Sequence, residues 1–241
     1  MLALDVGNTR IKWALGGISG WDEEGVAALG EPEELYLAWD RMPAPERVIG
    51  SNVAAPKISG DLTDYWHGRE VAVNWIQSTL KSCGVHNCYG EPEQLGTDRW
   101  AALIAAQSMR LGDCLVISLG TAMTIDWLRA DGNFAGGMII PGIRLMRETL
   151  ARGTSQIGYQ AGKVAGFSCN TADAVESGLT CALTGAVKAA RQKVIDSSGA
   201  IPSCLISGGD GAWLAAMLDF PAKHVPDLVL KGLALMANRD E

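Results

Sequence analysis

Short apolar blocks separated by polar punctuation divide the chain into alternating strands and helices. Leu4 to Val6 and Ile11 to Trp13 read as two strands around a turn at Gly7-Asn8-Thr9, and Gly16-Gly17-Ile18-Ser19-Gly20 is a second turn. From Pro32 to about Arg41 the residues Leu35, Trp39 and Met42 fall at helical spacing. Val48 to Ala54 reads as a buried strand ending in Ser51 and Asn52, and such strand ends in α/β sheets commonly face a ligand crevice. The pattern then predicts a helix from Pro56 to about Trp66, a strand over Glu70 to Val73 and a short helix from Trp75 to Lys81. A longer helix is expected from about Arg99 to Leu111, with Ala101, Leu103, Ile104, Ala105 and Met109 on its apolar side. This alternation implies a layered α/β architecture.

Cys114 to Leu128 repeats the opening design of apolar strand, glycine turn and second strand, with Gly120 in the place of Gly7. The two glycines stand 113 positions apart in 241 residues, which reads as an internal duplication. The expected halves are residues 1–110 and 111–241. Gly136 to Gly142 reads as a loop of fixed shape leading to a helix through about Arg152, and Ala172 to Ser197 as a long helix of small residues. Ser203 to Ser207 reads as a strand ending at Gly208-Gly209 before a helix over Ala212 to Leu218.

The candidate chemistry sits at the turns. Gly7 would adopt positive φ and let backbone N–H groups approach a phosphate, Asn8 and Thr9 add donors, Lys12 adds a cation, and Asp5 could hold magnesium. A plain hairpin with a surface lysine has the same local signature. Thr97 or Asp98 is expected at a helix N-cap, where the helix dipole would lower the pKa of Asp98. Capping alone would explain Asp98, but Arg99 and Tyr89 nearby would offer one small polar substrate a carboxylate, a guanidinium and a phenol. Gly208-Gly209 could pass flat against a nucleobase or ribose, or be an ordinary strand-to-helix turn.

Composition narrows the classes. Hydrophobic residues at 48% and charged residues at 20% describe a globular chain, and a net charge of -7 with pI near 5.0 argues against nucleic acid or anionic membrane as partner. Apolar runs are far shorter than the ~20 residues of a membrane span, and no basic region followed by an apolar block opens the sequence, so a cytoplasmic protein is expected. The six Cys form no dense framework and are expected to be reduced. Cys83, His86 and Cys88 offer three ligands where structural zinc needs four, so no metal is expected there.

Together, Asp5 through Lys12, Tyr89 through Gly96-Thr97-Asp98-Arg99, Gly120 through Asp126, Gly136 through Gly142, Asn170-Thr171, Ser207-Gly208-Gly209 and Pro226 through Leu233 resemble the motifs of the acetate and sugar kinase, heat-shock ATPase and actin superfamily. Within it the chain looks like a type III pantothenate kinase. The resemblance implies two ribonuclease H-like domains with a cleft between them, a homodimer with a shared active site, ATP and magnesium as cosubstrate and cofactor, and pantothenate as substrate. It implies Asp98 as general base, and Tyr89, Gly96, Thr97, Arg99 and Thr171 as substrate contacts, Thr171 from the second subunit. Asp5, Gly7, Asn8, Thr9, Arg10, Lys12, Gly120, Thr121, Gly208 and Gly209 would hold ATP, Asp5 meeting magnesium through water. The family commonly carries Asp two positions before the second glycine, where it binds potassium or ammonium. Here that position is Ser118, so a monovalent cation is not expected to be held in the usual way. The alternatives are a non-catalytic nucleotide-binding regulator on the same scaffold and a kinase for another small hydroxy acid.

Overall fold

Strand β1 (Leu2–Val6) is buried at four of its five positions, because it lies in the middle of a sheet with helices on both faces. The structure, a computed structural model, describes residues 1–154, 157 and 160–238. The chain forms two compact units, the first made of residues 1–110, 132–134 and those from Asp227 onward, the second of residues 111–131 and 135–226.

In the first unit, β1 continues through the turn into β2 (Arg10–Gly17) and then β3 (Gly20–Ala28), followed by helix α1 (Pro32–Trp39) and strand β4 (Val48–Asn52). Helix α2 (Pro56–His67), strand β5 (Val73–Trp75), the small hairpin β6 (Lys81–Ser82) and β7 (Val85–Asn87), and helix α3 (Thr97–Ser108) complete this run. The sheet order is β3-β2-β1-β4-β5, with β1 antiparallel to β2 and parallel to β4, and β4 parallel to β5. Leu2, Leu4 and Val6 of β1 pack with Trp13, Leu35, Trp39, Leu62 and Trp66, which places α1 and α2 over one face.

The second unit starts with β8 (Cys114–Leu119), β9 (Ala122–Leu128) and β10 (Asn133–Pro141), whose first two residues belong to the first unit and pair there with β7. Helices α4 (Ile143–Gly153) and α5 (Thr171–Ser198), strand β11 (Ser203–Ser207), helix α6 (Gly211–Met217) and strand β12 (Lys223–His224) follow. From β10 the neighbours run β9, β8, β11, β12, with β8 antiparallel to β9 and parallel to β11, and β11 parallel to β12. That order matches the first unit strand for strand, as the repeated glycine turn predicts. Ile117, Leu119, Met123, Leu183, Val187, Ile206 and Leu214 build its core.

The last helix, α7 (Leu228–Ala237), returns to the first unit and packs along α3. It crosses at Gly232, where a Cβ would overlap the Ala101 carbonyl, and Ala101, Ala102, Ala105 and Ala106 keep α3 slim enough for that approach. Three local expectations fail. The strand expected over 70–73 lies at Val73–Trp75, and no helix covers 75–81, because Trp75 pairs with Gly50 and lays its ring where a side chain at 50 would stand. The segment 136–142 is largely edge strand, with the bend absorbed by Gly136 at φ 117.

Candidate active site

Asp5 occupies β1 directly opposite Lys12 on β2 and Ser51 on β4, so the hairpin register alone sets a carboxylate beside an ammonium. Burial drives its pKa up to about 7, the charge of Asp98 adds to the rise, and Lys12 offsets part of it. The influence of Asp98 on Asp5 places the two acids in one neighbourhood of the first unit. Asp98 stands in the first turn of α3, where its Oδ1 accepts the Arg99 N–H at 2.8 Å.

The structure corrects two expectations about Asp98. The N-cap is Gly96, with no side-chain cap, and the pKa of Asp98 is raised, because desolvation outweighs the Arg99 N–H and the Arg99 charge. Gly96 is constrained by Asp98 itself, since a Cβ at 96 would come within 2.7 Å of Asp98 Oδ1. Thr97 fixes the start of α3 to the end of β4, its hydroxyl lying 2.8 Å from that of the buried Ser51 and 3.4 Å from the Asn52 carbonyl.

Arg99 is buried, and its Nη1 donates to the Tyr89 hydroxyl at 3.2 Å. Its guanidinium lies 5.9 Å from the ring centroids of both Tyr89 and Phe134. Tyr89 is aimed from behind by buried Asn87, whose Oδ1 accepts the Tyr89 N–H at 3.1 Å while its Nδ2 donates to the Pro92 carbonyl. Asp98, Arg99 and Tyr89 are thus assembled as expected. Ser51, Asn87 and Phe134 are the additions that spacing did not single out. Ser51 carried a signal in its polar strand end, whereas Phe134 lies 45 residues from Tyr89 with none.

The first glycine turn differs from expectation. Gly7 does not have positive φ, and its N–H is closed within the hairpin, donating to the Arg10 carbonyl at 3.0 Å. A phosphate would therefore meet the exposed Asn8, Thr9 and Arg10 with Lys12 behind them, not the amide of Gly7. In the second unit Gly120 donates to the Ala122 carbonyl at 2.9 Å in the same manner, leaving Thr121 exposed at the tip. Gly208 is glycine for a packing reason, with φ 95 and the end of β8 so close that a Cβ would overlap the Leu119 carbonyl. Gly209, beside it, is exposed.

Ser118 lies in register with Thr124 and Ser207 across β9, β8 and β11, a row of hydroxyls at the position Asp5, Lys12 and Ser51 hold in the first unit. Thr171 opens α5 behind Asn170, whose side chain accepts the Asp173 N–H at 2.9 Å. It borders a recess of about 630 Å³ with Leu150, Cys169, Asn170, Val175 and Leu179. Cys83, in the β6–β7 turn, and the exposed Cys88 are free thiols, and among the described residues no three His, Cys, Asp or Glu are grouped to hold a metal. Magnesium needs fewer protein ligands, one or two carboxylates with water and phosphate completing its shell. Asp5, whose charge is opposed by burial and by Asp98, fits such an ion.

Comparison with known proteins agrees with this geometry. A relative from Azoarcus sp. (strain BH72), a type III pantothenate kinase, is 43% identical and covers 100% of this chain and 91% of its own. Another type III pantothenate kinase, from Aromatoleum aromaticum (strain DSM 19018 / LMG 30748 / EbN1), is 41% identical over 100% of this chain and 98% of its own. Among solved structures, a Campylobacter jejuni protein assigned to the Baf family of transcriptional activators superposes with TM-score 0.67 at 20% identity over 100% and 98% of the two chains. The polyphosphate/ATP-glucomannokinase of Arthrobacter sp. strain KM does so with 0.51 at 14% over 100% and 99%. At those identities the structures bear on the fold alone, two ribonuclease H-like domains. Because the family description "Type III pantothenate kinase" matches residues 1–193 and these relatives match end to end, the chain belongs to the type III pantothenate kinase family.

Proposed function

We propose that this protein transfers the γ-phosphoryl group of ATP to the primary alcohol of pantothenate, giving 4'-phosphopantothenate at the first step of coenzyme A synthesis. The observation that carries this reading is the assembly of Asp98, Arg99 and Tyr89 in the same unit as Asp5 and Lys12. Phosphoryl transfer asks little covalent work of a protein, so rate comes from aligning the alcohol with the phosphorus and neutralising charge on its oxygens. Asp98 orients the hydroxyl and accepts its proton. Its raised pKa makes it a stronger base than an exposed Asp. Arg99, hydrogen-bonded to Tyr89, pairs with the carboxylate or amide end of pantothenate, and Gly96 and Thr97 shape the approach.

Asn8, Thr9, Arg10 and Lys12 take phosphate oxygens in the first unit, Gly120 and Thr121 take them in the second, and Gly208-Gly209 lie toward the nucleoside. Asp5 would hold magnesium, directly or through water, and the ion would neutralise phosphate charge. The Ser118, Thr124 and Ser207 hydroxyls carry no charge to balance potassium or ammonium, so turnover depends weakly on either. The domain boundary is assigned between residues 110 and 111, with helix α7 returning to the first domain.

The working form is a cytoplasmic homodimer to which each subunit brings Thr171 toward its partner's substrate. Ile139 at 66% exposure and Phe167 fully exposed leave apolar surface on β10 and ahead of α5, and no helix among the described residues is long and apolar enough to cross a membrane. An assay coupled to ADP release, run with pantothenate and a panel of other small hydroxy acids, tests the function. Pantothenate-dependent ADP release well above every other acid is expected. Release with another acid alone, or nucleotide binding without turnover, would overturn it.

A further inference from the structure

The geometry points to the Arg147–Glu176 ion pair as a brace that sets the second glycine turn, Gly120-Thr121, and through it the affinity for nucleotide. The nucleotide half of this inference rests on the reading that the turn receives ATP phosphates. Helix α4 has no buried side chain; Ile143 and Met146, partly covered, join the core of the second unit, and Leu150 and Ala151 are also only partly covered. Apolar burial therefore holds α4 weakly.

Arg147 supplies the missing restraint. Its Nε donates to one carboxylate oxygen of Glu176 at 2.7 Å and its Nη2 to the other at 2.9 Å, the two-point geometry that fixes orientation as well as distance. Glu176 is 8% exposed and sits on α5. Without Arg147 that charge would be buried and uncompensated. Asp210, in the turn between β11 and α6, adds negative field at the guanidinium, and its own N–H donates to the Leu119 carbonyl one residue before Gly120.

The brace reaches the turn through Gly142, the residue before α4. Its N–H donates to the Thr121 carbonyl at 2.9 Å, its carbonyl accepts the first helical bond from Met146, and a Cβ at 142 would overlap the Gly120 carbonyl. Any shift of α4 passes backbone to backbone into Gly120-Thr121, with no flexible side chain between to absorb it. Arg147 and Glu176 are thus positioning residues, remote from the reacting atoms.

The test uses Arg147→Met, the milder Arg147→Lys and the swapped pair Arg147→Glu/Glu176→Arg in the full chain, with Thr121→Ala as control. In Arg147→Met, amide hydrogen exchange across 118–124 is expected to rise about tenfold while that of the α5 core, 183–194, stays within about twofold. KM for ATP should rise about fivefold with KM for pantothenate within about twofold, and the swapped pair should recover part of the loss. Unchanged exchange at the turn overturns the inference, as do equal rises in both KM values, which mark general loosening. If Thr121→Ala raises KM for ATP and Arg147→Met does not, the brace is refuted while the phosphate reading stands. If exchange at the turn rises and neither variant moves KM for ATP, the phosphate reading fails and takes the nucleotide half with it.

Discussion

Replacing Asp5 by Asn should stabilise the protein while removing its activity, and the size of the gain is set by pH. Asp5 is desolvated on β1, next to the charge of Asp98, and only Lys12 compensates it. A carboxyl whose pKa rises from 3.8 to about 7 on folding binds its proton more tightly in the folded state. Stability from this group therefore falls as pH climbs from 3.8 to about 7 and levels off above. About three pKa units at about 1.4 kcal/mol each set a ceiling of about 4 kcal/mol. Asp5 is half-buried, not sealed, so solvent screening brings the working figure to about 2 kcal/mol, with less of it developed at pH 5 than at pH 8.

Asn keeps the shape and drops the charge. For a chain of this length Asp5→Asn should melt about 4–8 °C above wild type at pH 8, with a smaller gap at pH 5. Thermal melts of both proteins at pH 5, 6, 7 and 8, in buffer with chelator so that no divalent ion masks the carboxylate, read this directly. An Asn variant melting at or below wild type at pH 8, or a gap that fails to widen with pH, would refute the electrostatic account of Asp5.

Asp98→Asn should lower kcat by roughly 10²-fold or more with the melting temperature near wild type, measured by ADP release. Near-normal turnover would reduce Asp98 to its bond with the Arg99 amide. Gly96→Ala should push the Asp98 carboxylate aside and cost about 10-fold to 100-fold in kcat, since misplacement of about 1 Å has that effect. Tyr89→Phe removes one hydrogen bond to Arg99 and should raise KM for pantothenate about threefold to tenfold with kcat within about twofold. Potassium should stimulate turnover weakly over a sodium or tetramethylammonium control, and strong activation would show that Ser118 and its neighbours hold the ion after all.

The sequence by itself determined the duplication and the family. Apolar strands around Gly7 and Gly120 repeat at half-chain distance, and local pattern carries that information because each hairpin closes within a dozen residues. It also indicated that Asp98, Arg99 and Tyr89 come together, since a helix start and the segment leading into it bring them close. Only the tertiary structure decided the direction of the Asp98 pKa, because desolvation depends on what covers the first turn of α3, and it reversed the effect expected from the helix dipole. Trp75 became strand, not helix, because Gly50 on a distant strand leaves its ring a place to lie. Phe134 beside Arg99, α7 against α3 at Gly232 and Arg147 on Glu176 were likewise settled by packing between elements far apart in the chain, which no periodicity along it records.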